Sequence, residues 1–270
     1  MDKIKISRAI VAALMLWLAV QPIAHGQNLE EQLTDYFYDF FQSEAGQTAV
    51  LSNLRAPAEQ QDVYRSHLAR IFSERALLRE MAHSALSLTQ SMQPKDFKEL
   101  APIMAEVGFG IAQRAVQQGI RRLPPDDIRL LLAHEAFMLE QISPERCIGL
   151  IENRLSAAEA TDLAMAYQKT LSREDLRQYL DLTARALLAH FRDSPLPKTI
   201  SPSQGRIAAE QFERALGQHP HFDLIARISL RPSAYSAAEN CWMSVQSLWV
   251  AIEQEGIIGD WLMILFAEQI

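Results

Sequence analysis

The chain has 270 residues, of which 49% are hydrophobic and only 10 are glycine, and its formal net charge is −7. The acidic balance argues against a nucleic-acid partner, because phosphate binding needs a basic face, and it suits a basic protein partner. Few glycines and little apolar–polar alternation are typical of helices rather than strands. We therefore predict an all-α protein, an antiparallel helical bundle or a loose array of helical hairpins with about ten helices.

The N-terminus has the features of a secretory signal peptide. The chain begins MDKIKISR, continues with the uncharged run AIVAALMLWLAV, and then reaches the small residues Ala24 and Gly26. A basic start, a short apolar core and a small-residue exit are typical of such leaders, and the run is too short to span a bilayer comfortably. We predict a signal peptide over 1–26 and a periplasmic or secreted mature chain with no stable membrane span; an uncleaved anchor is the alternative.

Aromatic residues cluster twice in the predicted helices of the mature chain. The first helix carries more aromatic surface than one stripe can bury, because Tyr38 and Phe41 flank its apolar face. Near the C-terminus, Trp242 and Trp249 lie on one helical stripe. Core packing is one interpretation. The other is that these four side chains bind a partner, since aromatic residues are enriched at interfaces.

Regular helix-start signals follow in the second half of the chain. Ser156 with Glu159 has the spacing of a capping box, and Pro144 is suited to a first helical turn. The Pro-rich stretch at 194–205 is the clearest linker and a candidate subdomain boundary. We predict one all-helical domain over 27–270.

Cys147 and Cys241 are the only cysteines, and each lies on the apolar side of its predicted helix. In an exported chain, an even number of cysteines favours a disulfide. Two buried free thiols and a reactive nucleophile are the alternatives. A metal site has no support from these cysteines, because they lack the CxxC spacing.

His134 and Glu135 begin like the H-E-x-x-H motif of zinc proteases, but Met138 stands where the second histidine would be. Glu135 falls in the middle of an apolar stripe. A carboxylate there must be paired, protonated, or placed at an opening in the core. An ion pair with an arginine is the structural interpretation. An acid or base in a helical cleft is the catalytic one, and it makes Glu135 and His134 weak catalytic candidates.

Two histidine patterns have the spacing of metal ligands. Glu80 and His83 form the E-x-x-H of di-iron carboxylate bundles, but no second copy occurs. His219 and His221 lie close together in a turn without a neighbouring carboxylate or cysteine to complete a site. We predict no metal site and no cofactor.

No nucleophile elbow, phosphate-binding glycine loop or dinucleotide fingerprint is present in the sequence. We therefore predict an exported, periplasmic binding protein with a protein partner. Its most concrete form is an inhibitor or immunity-type protein that neutralises an envelope-targeting toxin or hydrolase. The alternative is an envelope hydrolase with its site in a helical cleft around Glu135.

Overall fold

The computed structural model describes residues 29–54, 56–91, 97–196 and 199–269. The protein is 83% helical, and the described ranges contain 13 α-helices and no strand. The prediction of an all-α protein is therefore confirmed, and the helix number agrees roughly with the expected array of hairpins. The predicted signal peptide, 1–26, lies outside the described residues.

The α-helices are short and follow one another closely. In chain order they are α1 Leu29–Gln42, α2 Glu44–Leu54, α3 Gln61–Ile71, α4 Arg75–Ser91, α5 Phe97–Ile120, α6 Pro125–Gln141, α7 Pro144–Ile151, α8 Ala157–Thr170, α9 Arg173–Phe191, α10 Pro202–Gly217, α11 Phe222–Leu230, α12 Ala237–Ile252 and α13 Gly256–Gln269. Two 3₁₀ turns lie at Ala58–Gln60 and Pro232–Ala234. None of the described helices combines the length and apolar character required to cross a membrane.

Three helices of the second half begin with the same capping box. In each, the serine hydroxyl accepts a hydrogen bond from the amide three residues later, and that residue's side chain accepts one from the serine amide; the pairs are Ser156–Glu159, Ser201–Gln204 and Ser236–Glu239. These bonds satisfy amides that a helix start leaves unpaired. Ser143 also precedes a helix, with Pro144 in the first turn, but its side chain makes no capping bond.

The chain forms two compact units. The first contains the described residues up to Val116 together with 190–192, and the second contains 117–189 and the residues from Asp193 onward. The chain passes from the first unit to the second within α5. It passes back at the end of α9, next to the 194–205 stretch. The single domain over 27–270 stays a prediction.

The first unit is built on the pairing of α1 with α4. Leu33 and Phe37 of α1 are buried, as are Leu77, Leu78 and Met81 of α4. These side chains recur at helical spacing, so each helix presents one apolar stripe that packs into the core. The polar sides of the two helices remain at the surface.

The second unit is organised around α12, which packs against α6, α7, α11 and α13. The Sγ atoms of Cys147 on α7 and Cys241 on α12 lie 1.99 Å apart, so the predicted disulfide is present. Both cysteines are buried, and they share a cluster with Leu139, Ile148 and Val245. The bridge therefore joins distant parts of the chain inside a packed apolar core.

Arg129 connects α6 to the turn between α12 and α13. Its Nε and Nη2 donate hydrogen bonds to the carbonyl oxygens of Ile252 (3.2 Å) and Gln254 (3.1 Å). Its guanidinium also lies 2.6 Å from Asp126 and 3.6 Å from Asp260. The guanidinium thus satisfies carbonyl groups that the end of α12 leaves without helical partners.

We expect the disulfide to contribute strongly to stability. The double variant Cys147→Ser, Cys241→Ser should lose about 4–5 kcal/mol of unfolding free energy, because the bridge closes a long loop in the unfolded chain. Urea denaturation of the wild type with and without reductant, beside the double variant, measures the loss. The unfolding free energy of the double variant should be the same with and without reductant. Two titratable thiols in the unfolded, unreduced wild type would contradict the bridge.

Candidate functional site

An aromatic pair joins α6 and α12 at the protein surface. Phe137 is 49% exposed, and its ring meets that of half-buried Trp249 edge-on, with centroids 4.8 Å apart. The indole Nε1 of Trp249 donates a hydrogen bond to Glu140 Oε1 at 2.8 Å. Leu130, 38% exposed, lies two turns before Phe137 on the same side of α6. We call Leu130, Phe137, Glu140 and Trp249 the aromatic face.

The aromatic face has a rigid support. Trp249 packs against the buried cluster that contains the disulfide between Cys147 and Cys241. Leu139, on the same helix as Phe137, belongs to that cluster. The indole is therefore held by its ring contact, by its hydrogen bond and by a covalently linked core beneath it.

The other predicted partner-binding residues make contacts within their own units. The Arg75 guanidinium lies 5.3 Å from the centre of the Tyr38 ring. Phe41 stacks on Phe72, with centroids 3.6 Å apart. Trp242 meets the His221 ring edge-on at 5.6 Å.

Of the four predicted residues, only Trp249 belongs to the aromatic face. Tyr38 and Phe41 lie in the first unit, and Trp242 and Trp249 lie in the second. Whether any of the four binds a partner stays a prediction.

Phe137 was not among the residues predicted from the sequence to bind a partner. The core stripe of α6 contains the buried residues Ile128, Leu132 and Leu139, and Phe137 lies on the opposite side of the helix together with Leu130. Two large apolar residues seven positions apart and off the buried stripe are a signal for a second apolar surface. That signal was present in the sequence.

His134 and Glu135 belong to a polar and aromatic cluster where α6 meets α8 and α9. His134 Nδ1 lies 2.8 Å from the Tyr167 hydroxyl, and its ring lies 5.1 Å from that of Tyr179. The two tyrosine rings meet edge-on, with centroids 6.0 Å apart. The two α6 residues were predicted from the sequence as catalytic candidates, but neither tyrosine was, because the contact joins three helices.

Burial controls the ionisation of this cluster. It raises the pKa of the Glu135 carboxyl above its ordinary value of 4.5. Burial, reinforced by Tyr179 and Asp175, raises the pKa of Tyr167 to about 12. Burial also lowers the pKa of His134, while the charge of Asp175 opposes that shift. A protonated Tyr167 hydroxyl is thus available to donate to an unprotonated His134 Nδ1.

The position of Glu135 on an apolar stripe suggested an ion pair with an arginine. Among the described residues, no arginine pairs with this carboxylate and no side chain hydrogen-bonds it. A carboxyl group in this environment favours its neutral form. Its charge, when present, raises the pKa of Tyr179, after the larger effect of burial.

Glu80 and His83 lie at the surface of the first unit. With Glu30, Ala76 and Arg79 they line an open depression of about 310 Å³. The His83 ring is 70% exposed, and its Nδ1 lies 3.1 Å from Glu30 Oε2. This contact gives His83 a carboxylate partner on α1.

His219 and His221 lie close together, with ring centroids 5.8 Å apart. The His221 amide donates a hydrogen bond to His219 Nδ1, which engages the lone pair that a metal would use at that atom. Over the part of the chain that the structure describes, no group of three or more His, Cys, Asp and Glu side chains is arranged to hold a metal ion.

The Glu135 carboxyl should make stability depend on pH. Because burial raises its folded-state pKa, the neutral acid contributes fully below the ordinary pKa of 4.5, and this contribution is lost as pH rises through the raised value. Glu135→Gln keeps a neutral side chain and should add about 1 kcal/mol of unfolding free energy at about pH 8. Urea denaturation of both proteins from acidic to mildly alkaline pH measures this difference in unfolding free energy.

Glu213→Gln, which changes an exposed carboxylate on α10, is the matched control and should leave the pH profile unaltered. Parallel profiles for the wild type and Glu135→Gln would show that this carboxyl is not held neutral by its surroundings.

No protein-family model, no curated protein and no solved structure matches this chain.

Proposed function

We propose that this protein is an exported, periplasmic all-α binding protein that docks a protein partner through the aromatic face. The observation that carries the proposal is the exposed Phe137 ring beside Trp249, whose indole is held by Glu140. Large aromatic side chains that become fully desolvated at the centre of an interface dominate binding energy. Phe137 has nearly half of its surface available for that change.

Pre-organisation supports this role. Binding normally costs free energy because side chains at an interface must be ordered. The Trp249 indole already has its hydrogen bond to Glu140 and packs on the disulfide-linked cluster. Little further ordering of this side chain is required when a partner docks.

The charge of the protein suggests the chemistry of the partner. The chain carries a net charge of −7, and exposed Glu140 places a carboxylate at the edge of the aromatic face. Complementary charge steers association and favours a basic partner. The most concrete form of the proposal is an inhibitor or immunity-type protein that occludes a basic toxin or hydrolase of the cell envelope.

Truncation of Phe137 tests the binding role. The mature wild type, immobilised and exposed to envelope extract from its own cells, should capture a defined protein, and Phe137→Ala should weaken the purified complex by about 30-fold, the scale of an interface hot spot. Titration calorimetry with the captured protein measures the change.

Ile207→Ala is the matched control, because Ile207 is a similarly exposed apolar residue, 41%, on α10. It should leave the affinity unchanged. Equal affinity of Phe137→Ala and wild type would remove the aromatic face from the interface.

Glu135 favours a second candidate, an envelope hydrolase. A carboxyl whose pKa is raised by burial can act as a general acid. The His134–Tyr167 hydrogen bond lies on the same segment of α6 as Glu135. In this hypothesis Glu135 protonates the leaving group. The base is His134 in its other tautomer, in which Nδ1–H donates to the Tyr167 hydroxyl and the Nε2 lone pair takes a proton from the attacking water.

The hydrolase hypothesis predicts that the mature protein releases soluble fragments from purified envelope material. Removing the Glu135 carboxyl should then lower the rate of fragment release by at least about 100-fold, the usual contribution of general acid catalysis. Comparing Glu135→Gln with wild type and with Glu213→Gln, all at equal helicity, measures this effect. Equal release by all three would show that Glu135 is not catalytic.

A further inference from the structure

The exposed side of α11 and the turn after it combine apolar and cationic side chains. Leu230 is 81% exposed, the largest value among the exposed large apolar residues of the described chain, and Phe222 on the same short helix is 39% exposed. Arg227 and Arg231, both exposed, flank Leu230 in the sequence. We call Phe222, Arg227, Leu230 and Arg231 the α11 tip.

The α11 tip carries more basic than acidic side chains. Residues 222–231, which are α11 and the residue after it, contain Arg227 and Arg231 against the single acid Asp223, a net charge of +1, whereas the whole chain has −7.

The two arginines of the tip keep their charge available. Arg227 Nε donates to the backbone carbonyl of Asp223 at 3.1 Å. Among the described residues, neither Arg227 nor Arg231 has a carboxylate within ion-pair distance, in contrast to Arg129 and Arg185 of the same unit. Two unneutralised guanidinium groups therefore border the exposed leucine.

We propose that the α11 tip is a peripheral membrane contact that binds an anionic lipid surface. Leu230 and Phe222 enter the boundary between headgroups and acyl chains, and Arg227 and Arg231 bind lipid phosphates. Ile225 and Ile228 anchor the opposite side of α11 in the protein core, where both are buried. Apolar residues on one side of a helix with basic residues beside them are the pattern of interfacial helices.

A lipid surface fits the α11 tip better than an acidic protein does. A stable protein interface buries about 800 Å² on each partner and needs complementary shape, whereas the tip offers two apolar side chains and two arginines. A fluid bilayer surface needs no matching shape. The acidic remainder of the protein is compatible with this contact, because charges beyond about 8 Å are largely screened at physiological salt.

Vesicle sedimentation tests the proposal. The mature protein should bind vesicles of equimolar phosphatidylglycerol and phosphatidylcholine, and high salt should abolish this binding. It should not bind vesicles of phosphatidylcholine alone. Arg227→Gln with Arg231→Gln should weaken binding by about 30-fold, since each basic residue near an anionic surface contributes about fivefold. Leu230→Ser should weaken it by about tenfold.

Matched control variants separate the tip from general surface effects. Ile257→Ser removes another strongly exposed apolar side chain, 61%, and Arg206→Gln removes an exposed arginine of α10. Both should bind like wild type. The proposal is overturned if the wild type does not bind anionic vesicles or binds neutral vesicles equally well. It is also overturned if the two control variants lose as much vesicle binding as the tip variants. Capture of an acidic protein through the tip, without vesicle binding, likewise overturns it.

Discussion

The disulfide between Cys147 and Cys241 is the constraint on which the second unit depends. It joins two cysteines that are 94 residues apart in sequence, and it lies inside an apolar cluster rather than at the surface. α12 also packs against α6, α11 and α13. A covalent link between α7 and α12 therefore restricts the chain at the centre of this unit, which would otherwise rest on short helices with little stability of their own.

Neighbouring side chains of α6 contribute to the two candidate functions. Toward α12, Phe137 and Glu140 contact Trp249 and form the exposed aromatic face. Toward α8 and α9, His134 contacts Tyr167 and Tyr179, and Glu135 remains without an ion pair among the described residues. The first arrangement favours docking of a partner, because its apolar surface is exposed. The second favours proton donation, because burial opposes ionisation of the carboxyl.

Several features followed from local sequence patterns. The capping box at Ser156 was recognisable because serine and glutamate three residues apart satisfy each other's amides within one turn. The stripe of α4 was recognisable because its apolar residues recur at helical spacing. The packing of Phe41 could not be recognised from the sequence, since its stacking on Phe72 depends on how two helices meet. The lack of an arginine partner for Glu135 depends in the same way on which helices surround α6.

The sequence alone determined the all-α class and several helix starts, because these follow from short-range spacing. It also limited any intramolecular disulfide to one pairing, because only two cysteines are present. Tertiary structure decided which aromatic side chains remain exposed: Phe137 lies on the open side of α6, whereas Phe41 stacks within its own unit. It also decided that Glu135 has no ion pair with a described residue. Both outcomes depend on contacts between helices distant in sequence, which helical periodicity does not specify.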